Sequence, residues 1–130
     1  MENELKINLN NQEKDLLLKD LCARLPYGVK IKTPTDCWTS EEGTCELKEI
    51  FRGDDGLFRI GDVGALIEYS KPYLFPLSSM TEEQEYQYRE VIANSLNHYE
   101  VYDWLNKNHF DYRNLIDKNL AIDCTNLNIY

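Results

Sequence analysis

The segment Lys71-Pro-Tyr-Leu-Phe-Pro-Leu-Ser-Ser-Met-Thr-Glu-Glu83 divides the chain into two parts with different sequence patterns. Pro72 and Pro76 hold this segment extended, because proline fixes its own φ and disfavours helix in the residue before it. Directly afterwards, Ser79-Met-Thr-Glu82 and Thr81-Glu-Glu-Gln84 both match the capping box that begins a helix. The chain must therefore change here from extended to helical structure, which indicates separate β and α parts.

An N-terminal helix is predicted over 10–25. Either Asn10 or Asn11 can cap its first turn, and Glu13 is an acid placed to favour the helix dipole. Pro26 then ends the helix. An apolar stripe results from leucines that recur every fourth residue, at Leu17, Leu21 and Leu25.

Residues 29–69 contain short runs in which apolar and polar residues alternate, as they do in half-buried strands. Glycine-containing turns over 53–56 and 61–64 separate the later runs. The pattern predicts a small antiparallel sheet, or an SH3-like half-barrel, packed on the first helix. The runs are Val29–Thr33, Cys45–Phe51, Leu57–Ile60 and Ala65–Tyr69.

The C-terminal part is predicted to be helical. A helix that follows the capping box has an apolar face and breaks at Asn97 or His98, and a further helix covers about 99–107. Asp111 can cap a last short helix over Tyr112–Ile116. The apolar face of the first of these helices consists of Tyr88, Val91, Ile92, Leu96 and Tyr99. Beyond them, Asn119 is predicted as a left-handed stop and Ala121–Asp123 as an edge strand.

The predicted fold class is therefore α+β, with an N-terminal helix, a small antiparallel sheet and then two to three helices. At 130 residues the chain is expected to form one domain, 1–130. Within it, residues 1–70 form the helix and sheet, 71–80 an extended proline-containing linker, and 81–130 the helical part.

The formal charge of −9 is spread along the chain and leaves no basic stripe. Binding to nucleic acid needs phosphate neutralisation, so direct contact with nucleic acid is not expected. An acidic DNA mimic is an alternative explanation of the charge. No apolar run approaches the ~20 residues of a membrane span, and the N-terminus lacks the layout of a signal peptide. We therefore expect a cytoplasmic protein without membrane contact.

The residues capable of catalysis form no recognisable constellation. The four cysteines make no C-x-x-C pair, which argues against structural zinc, and Cys37 and Cys45 could pair only across a hairpin-sized loop. A nucleophilic pair of His109 with Cys22 or Cys124 is conceivable, but Cys22 is expected to pack in the core from the apolar helix face. We predict no enzyme, no metal and no cofactor.

Candidate binding residues concentrate between positions 104 and 113, where aromatic rings alternate with polar and basic groups. Such a set can clamp a planar or phosphorylated ligand, or it can anchor a protein partner. Alternatively, these aromatic residues seat the C-terminal helices on the sheet, and the two linker aromatics fix the linker to the core. The candidates are Trp104, Asn106, Lys107, His109, Tyr112 and Arg113, together with Tyr73 and Phe75 of the linker.

Three stretches, Leu16–Val29, Lys71–Glu83 and Asp103–Ile116, resemble in the same order a group of small uncharacterised proteins. These proteins come from phages and integrated mobile elements of gut anaerobic bacteria. This chain departs from them at Phe75 and Asn114, where Arg and Gly are common. The resemblance implies an origin in a phage or mobile element, and it carries no activity and no catalytic residue.

Three functions follow as hypotheses. The first is a non-enzymatic accessory protein that binds a host or phage protein, in one version to counter host defence. The second is a small-molecule binder that sequesters a nucleotide signal of host immunity, and the third is the DNA mimic. The sequence is also compatible with a homo-oligomer, because an uncovered edge strand can pair two copies.

Overall fold

The computed structural model describes residues 9–35, 42–61 and 64–130, and it shows the predicted mixed α+β fold. Cys37, and with it the hypothetical Cys37–Cys45 disulfide, lies outside the described residues. The helices are α1 (Asn11–Arg24), α2 (Glu82–Asn94) and α3 (His98–Lys107). The strands are β1 (Lys30–Thr35), β2 (Glu42–Glu46), β3 (Ile50–Arg52), β4 (Phe58–Ile60), β5 (Lys71–Pro76), β6 (Phe110–Asp111) and β7 (Ile122–Asp123).

Local sequence signals determine both ends of α1. Asn10 and Glu13 form a capping box in which the Glu13 amide donates to Asn10 Oδ1 at 2.8 Å and the Asn10 amide donates to Glu13 Oε1 at 3.0 Å. A 3-10 turn over Leu25–Tyr27 follows the helix, and Gly28 then adopts a left-handed φ of 70°. The predicted cap at Asn10 and the predicted end of the helix are confirmed.

The main sheet has the strand order β2-β1-β5-β6, and β7 also pairs with β5. β1 runs antiparallel to both β2 and β5, whereas β6 and β7 run parallel to β5. The first half of the segment expected as a linker over 71–80 is therefore part of the sheet. Lys71–Pro76 is extended as predicted, but it is the strand that joins the two halves of the sheet, and Leu77–Ser79 is a 3-10 turn.

The strands within 29–69 pair with one another in antiparallel fashion, as predicted, but they belong to two different sheets. β1 and β2 belong to the main sheet, and β3 and β4 form a separate hairpin with Ile50 opposite Ile60. The run over 65–69 was expected as a strand. It instead makes a single bridge at Leu66 and then a 3-10 turn over Ile67–Tyr69.

The core lies where α1, the main sheet and the C-terminal loop meet. α1 buries Leu17 and Leu21 almost completely, and each buried leucine contributes roughly 1.5–3 kcal/mol. The buried apolar cluster comprises Leu9, Leu17, Leu21, Val29, Ile31, Leu47, Ile60, Ile67, Leu74, Leu115, Leu120 and Ala121.

The predicted starts of the two C-terminal helices are confirmed. Thr81 and Gln84 form the capping box of α2, and Asn97 caps α3 by accepting the Tyr99 amide at 2.9 Å. No residue of α2 is buried.

The predicted short helix over Tyr112–Ile116 is wrong. The Asp111 carboxylate accepts the amides of Leu115 at 3.0 Å and Ile116 at 2.9 Å, as a cap would, but the chain turns because Asn114 has a left-handed φ of 61°. Asn adopts this left-handed conformation more readily than most residues other than Gly, so it can occupy the turn. The left-handed stop at Asn119 is confirmed by its φ of 62°.

Candidate binding surfaces

Three of the predicted binding residues, Trp104, Phe75 and His109, belong to one continuous aromatic stack. The ring of Trp104 lies 5.7 Å from that of Phe110, and the rings of His109 and Tyr130 are 3.8 Å apart and nearly parallel. This arrangement favours the packing interpretation for these residues, because their ring faces are already occupied by neighbouring rings. The aromatic stack consists of Tyr88, Trp104, Phe110, Phe75, Tyr130 and His109.

His109 is held in the aromatic stack as a neutral ring. Burial, and next the positive charges of Arg24 and Lys30, together lower its pKa from 6.5 to about 4. Its Nδ1 atom is buried and has no hydrogen-bond partner among the described residues. A ring that binds a proton so weakly is a poor general base at neutral pH.

Tyr73 and Tyr130 link the sheet to the end of the chain. The Tyr130 hydroxyl donates to the Tyr73 carbonyl at 2.9 Å and accepts the Lys30 amide at 2.7 Å. Burial raises the pKa of the Tyr130 hydroxyl, which therefore stays protonated as the donor. The Tyr73 side chain is buried, with its hydroxyl 3.1 Å from Thr44 Oγ1. Tyr73 is thus a structural residue in this arrangement.

A fully buried ion pair lies next to two further predicted residues, Tyr112 and Arg113. Arg24 Nε donates to Asp20 Oδ2 at 2.8 Å, both side chains have 0% exposure, and Arg24 Nη2 donates to the Phe110 carbonyl at 2.6 Å. Arg113 Nη1 also donates to Asp20, at 3.4 Å. Sequence reasoning missed this pair. The signal was present, since Asp20 and Arg24 stand three and seven residues after Leu17 and so fall on the apolar stripe.

Tyr112 is held by the same group of charges. The guanidinium carbons of Arg24 and Arg113 lie 5.2 Å and 4.7 Å from the centre of its ring. Its hydroxyl donates to Asn106 Oδ1 at 2.8 Å, and the ring of Tyr102 is 5.2 Å away. The structure therefore brings Asn106, Tyr112 and Arg113 together.

These residues line a surface cleft of about 580 Å³, which we call the tyrosine groove. α1 and α3 form two of its walls, and the loop after β6 forms the third. Tyr99 is 78% exposed at the groove, whereas the predicted residue Lys107 is exposed elsewhere and does not line it. The groove is lined by Lys19, Ala23, Tyr99, Tyr102, Asp103, Asn106, Tyr112 and Arg113.

A second surface lies where α2 meets α3. Leu96 is 95% exposed and Ile92 is 50% exposed, and both line a shallow depression of about 190 Å³ together with Val101. We call these three residues the apex patch. The apolar face predicted for the helix after the capping box therefore does not form one surface. Tyr88 packs in the aromatic stack, and Tyr99 lines the tyrosine groove.

The two cysteines considered as partners of His109 differ in exposure. Cys22 was expected to pack in the core, and this is wrong because it is exposed on α1, beside the buried stripe. Cys124 is buried, and its burial raises the thiol pKa to about 11, which disfavours the thiolate.

Within the described ranges, no group of three or more His, Cys, Asp or Glu side chains is placed to hold a metal ion. None of the helices in those ranges is long and apolar enough to cross a bilayer. Comparisons of the chain with protein-family models, with curated proteins and with solved structures found no match. The tyrosine groove and the apex patch are therefore the features of the molecule that bear on its function.

Proposed function

We propose that the protein is a non-enzymatic accessory protein of a phage or mobile element, and that it binds a host or phage protein through the apex patch. The observation that carries this proposal is the exposure of Leu96, 95% of whose surface faces solvent beside Ile92 and Val101. Single exposed apolar residues are ordinary on protein surfaces. Three that share one depression instead form a contiguous apolar patch, and such patches mark interaction sites.

The fold itself gives no reason for apolar residues at this place. α2 buries none of its residues, and its contact with the rest of the fold includes the stack of Tyr88 on Trp104, with ring centres 5.5 Å apart. Ile92 and Leu96 do not belong to the core cluster. A partner that covers them would remove apolar surface from water, which is the main driving force of association.

The charge around the apex patch indicates the chemistry of the partner. Residues 81–107 contain six acidic and two basic side chains. Charges at the rim of an interface select complementary partners and accelerate association. We therefore expect a basic protein segment with apolar side chains as the occupant, and we do not expect a second copy of this acidic chain.

The acidic side chains of α2 give less support to a DNA mimic. Glu82, Glu83, Glu85 and Glu90 are all exposed and lie on one half of the helix circumference, but they do not form a single row. Arg89 lies within 3.6 Å of Glu85 and interrupts them further. An apolar depression at the end of the same helices also differs from the charged surface that a basic DNA-binding groove requires.

The experiment compares three tagged forms of the protein in lysate of a natural host: the natural sequence, Leu96→Glu and Leu127→Glu. Leu127 is an exposed leucine outside the apex patch and provides the matched control. Proteins that co-purify are identified by mass spectrometry, and their affinity is then measured with purified components.

Leu96→Glu is expected to weaken binding about 30-fold, as the loss of an interface centre does, and Leu127→Glu to leave it unchanged. Equal affinity for the three forms would place the interface elsewhere and refute the proposal. Light scattering of the purified protein distinguishes a second copy, since a dimer abolished by Leu96→Glu would make self-association the role of this patch.

A further inference from the structure

We infer that the tyrosine groove is a separate binding site for a nucleoside phosphate, a ligand that combines a planar aromatic ring with an anionic group. The site shares no residue with the apex patch, so this inference stands independently of the proposed function. Its volume of about 580 Å³ lies within the range of small-molecule sites, roughly 300–1,000 Å³.

The lining of the groove is net positive, whereas the chain is net negative. Lys19 and Arg113 line it as cations, whereas the protein as a whole carries −9. Asp103 is the acidic side chain in its wall. Burial, and next a hydrogen bond with Asp103, raises the pKa of Tyr27, so this carboxylate already has a partner. Two cations and one carboxylate leave the lining of the groove net positive in an acidic protein, which favours an anionic ligand.

Aromatic surface is available next to these cations. Tyr99 is exposed at the groove, and Tyr102 is also partly exposed, although its ring contacts that of Tyr112. Tyrosine rings stack on nucleobases of every type, because each base presents a π-face. The combination of ring and cation therefore matches the two ends of a nucleoside phosphate.

Arg113 is already fixed in position. Its guanidinium lies 4.7 Å from the centre of the Tyr112 ring and donates to the buried Asp20 carboxylate at 3.4 Å, with 18% of the side chain exposed. Holding a long side chain before the ligand arrives lowers the entropy lost on binding. Planar guanidinium groups also recognise phosphate oxygens in a defined geometry. The Lys19 side chain makes no ion pair with any described residue and can move to meet the anion.

The test is calorimetric titration of the purified full chain with AMP, GMP, CMP and UMP at up to millimolar concentration. Adenosine and inorganic phosphate probe the two halves of the ligand separately. Phosphotyrosine probes the other common source of a phosphorylated ring. We expect at least one mononucleotide to bind at least tenfold more tightly than adenosine, phosphate or phosphotyrosine, with affinity that falls as salt is raised.

Two exposed groove residues supply the variants. Lys19→Ala is expected to weaken mononucleotide binding about tenfold, as the loss of a charge-assisted contact does. Tyr99→Ala is expected to weaken it roughly five- to hundredfold, and Tyr99→Phe to retain it, because the ring is kept. Leu96→Glu is the matched control outside the groove and should leave the affinity unchanged. Urea unfolding of each variant verifies that the fold is intact.

Three results would overturn the inference. The first is the absence of binding by all four mononucleotides at millimolar concentration. The second is binding that survives both Lys19→Ala and Tyr99→Ala, since the ligand would then occupy another place. The third is binding of phosphate or phosphotyrosine as tight as that of the best mononucleotide. Loss of partner binding in Leu96→Glu with retained nucleotide binding would separate the two surfaces.

Discussion

Replacing Asp20 by Asn should destabilise the protein strongly, although Asn has nearly the same shape and leaves no cavity. The substitution removes the negative charge that faces Arg24, whose side chain has 0% exposure. Breaking a buried ion pair by removing one partner costs about 3–5 kcal/mol, because the other charge stays buried without compensation.

The surroundings of the pair place the expected cost near the upper end of this range. Arg24 Nη1 already has no hydrogen-bond partner among the described residues, and the asparagine would offer the guanidinium a neutral amide oxygen where the charged carboxylate stood. Arg113 also donates to Asp20, so the loss of the carboxylate leaves two like charges close to the Tyr112 ring. A domain has about 5–15 kcal/mol of total stability, so the variant should lose a third or more of it.

The assay is equilibrium unfolding in urea, followed by circular dichroism and by tryptophan fluorescence. The matched control is the double variant Asp20→Leu with Arg24→Met, which removes both charges and keeps apolar volume. We expect it to cost only about 1–3 kcal/mol, chiefly for the donor lost at the Phe110 carbonyl. The double variant should therefore be more stable than Asp20→Asn alone.

Two results would refute this reasoning. An Asp20→Asn variant within about 0.5 kcal/mol of the natural protein, with an unchanged urea slope, would mean that the charge pair contributes little. A double variant less stable than Asp20→Asn would mean that hydrogen bonding and shape, and not charge balance, determine the stability of this site.

Three further predictions concern the C-terminal end of the fold. Because burial and two neighbouring cations lower the pKa of His109 from 6.5 to about 4, the unfolded chain binds the proton more readily, and the free energy of unfolding should fall as pH drops through this range. His109→Asn, which suits the φ of 63°, should reduce that slope in urea titrations at several pH values. Tyr130→Phe should cost about 1 kcal/mol and accelerate hydrogen exchange of the Lys30 amide, which would lose its acceptor; unchanged exchange would contradict the contact. Because burial raises the pKa of Cys124 to about 11, iodoacetamide at pH 8 should label the exposed Cys22 and spare Cys124, as peptide mass spectrometry will show.

Local chemistry made several elements of this fold predictable from the sequence. Asn10 with Glu13, and Thr81 with Gln84, satisfy the first amides of their helices through side chains three residues away. Asn97 caps the start of α3 in a similar way, by accepting the Tyr99 amide two residues away. Such signals act within one helical turn and need no knowledge of the rest of the chain.

The features that the sequence did not predict depend on contacts between residues far apart in the chain. Lys71–Pro76 is extended because of its prolines, but it becomes a strand of the main sheet only by pairing with β1, β6 and β7, which are all distant in the sequence. Lys19 joins Arg113 in the tyrosine groove from the opposite end of the chain. The Trp104–Arg113 stretch was correctly noted as rich in aromatic groups. Within it, Trp104, His109 and Phe110 belong to the aromatic stack, whereas Asn106, Tyr112 and Arg113 line the groove.

The parallel pairing of β5 with β6 has a consequence for how the protein can vary. Phe75 lies opposite Phe110 and Pro76 opposite Asp111, so the chain that leaves the sheet after residue 76 returns beside its own point of departure. Residues 77–109, with α2 and α3, are in this respect an insertion whose two ends already meet. Changes in the outer part of these helices leave the register of the sheet intact. The surface of these helices, including the apex patch, can therefore change in sequence while the sheet beneath it keeps its structure.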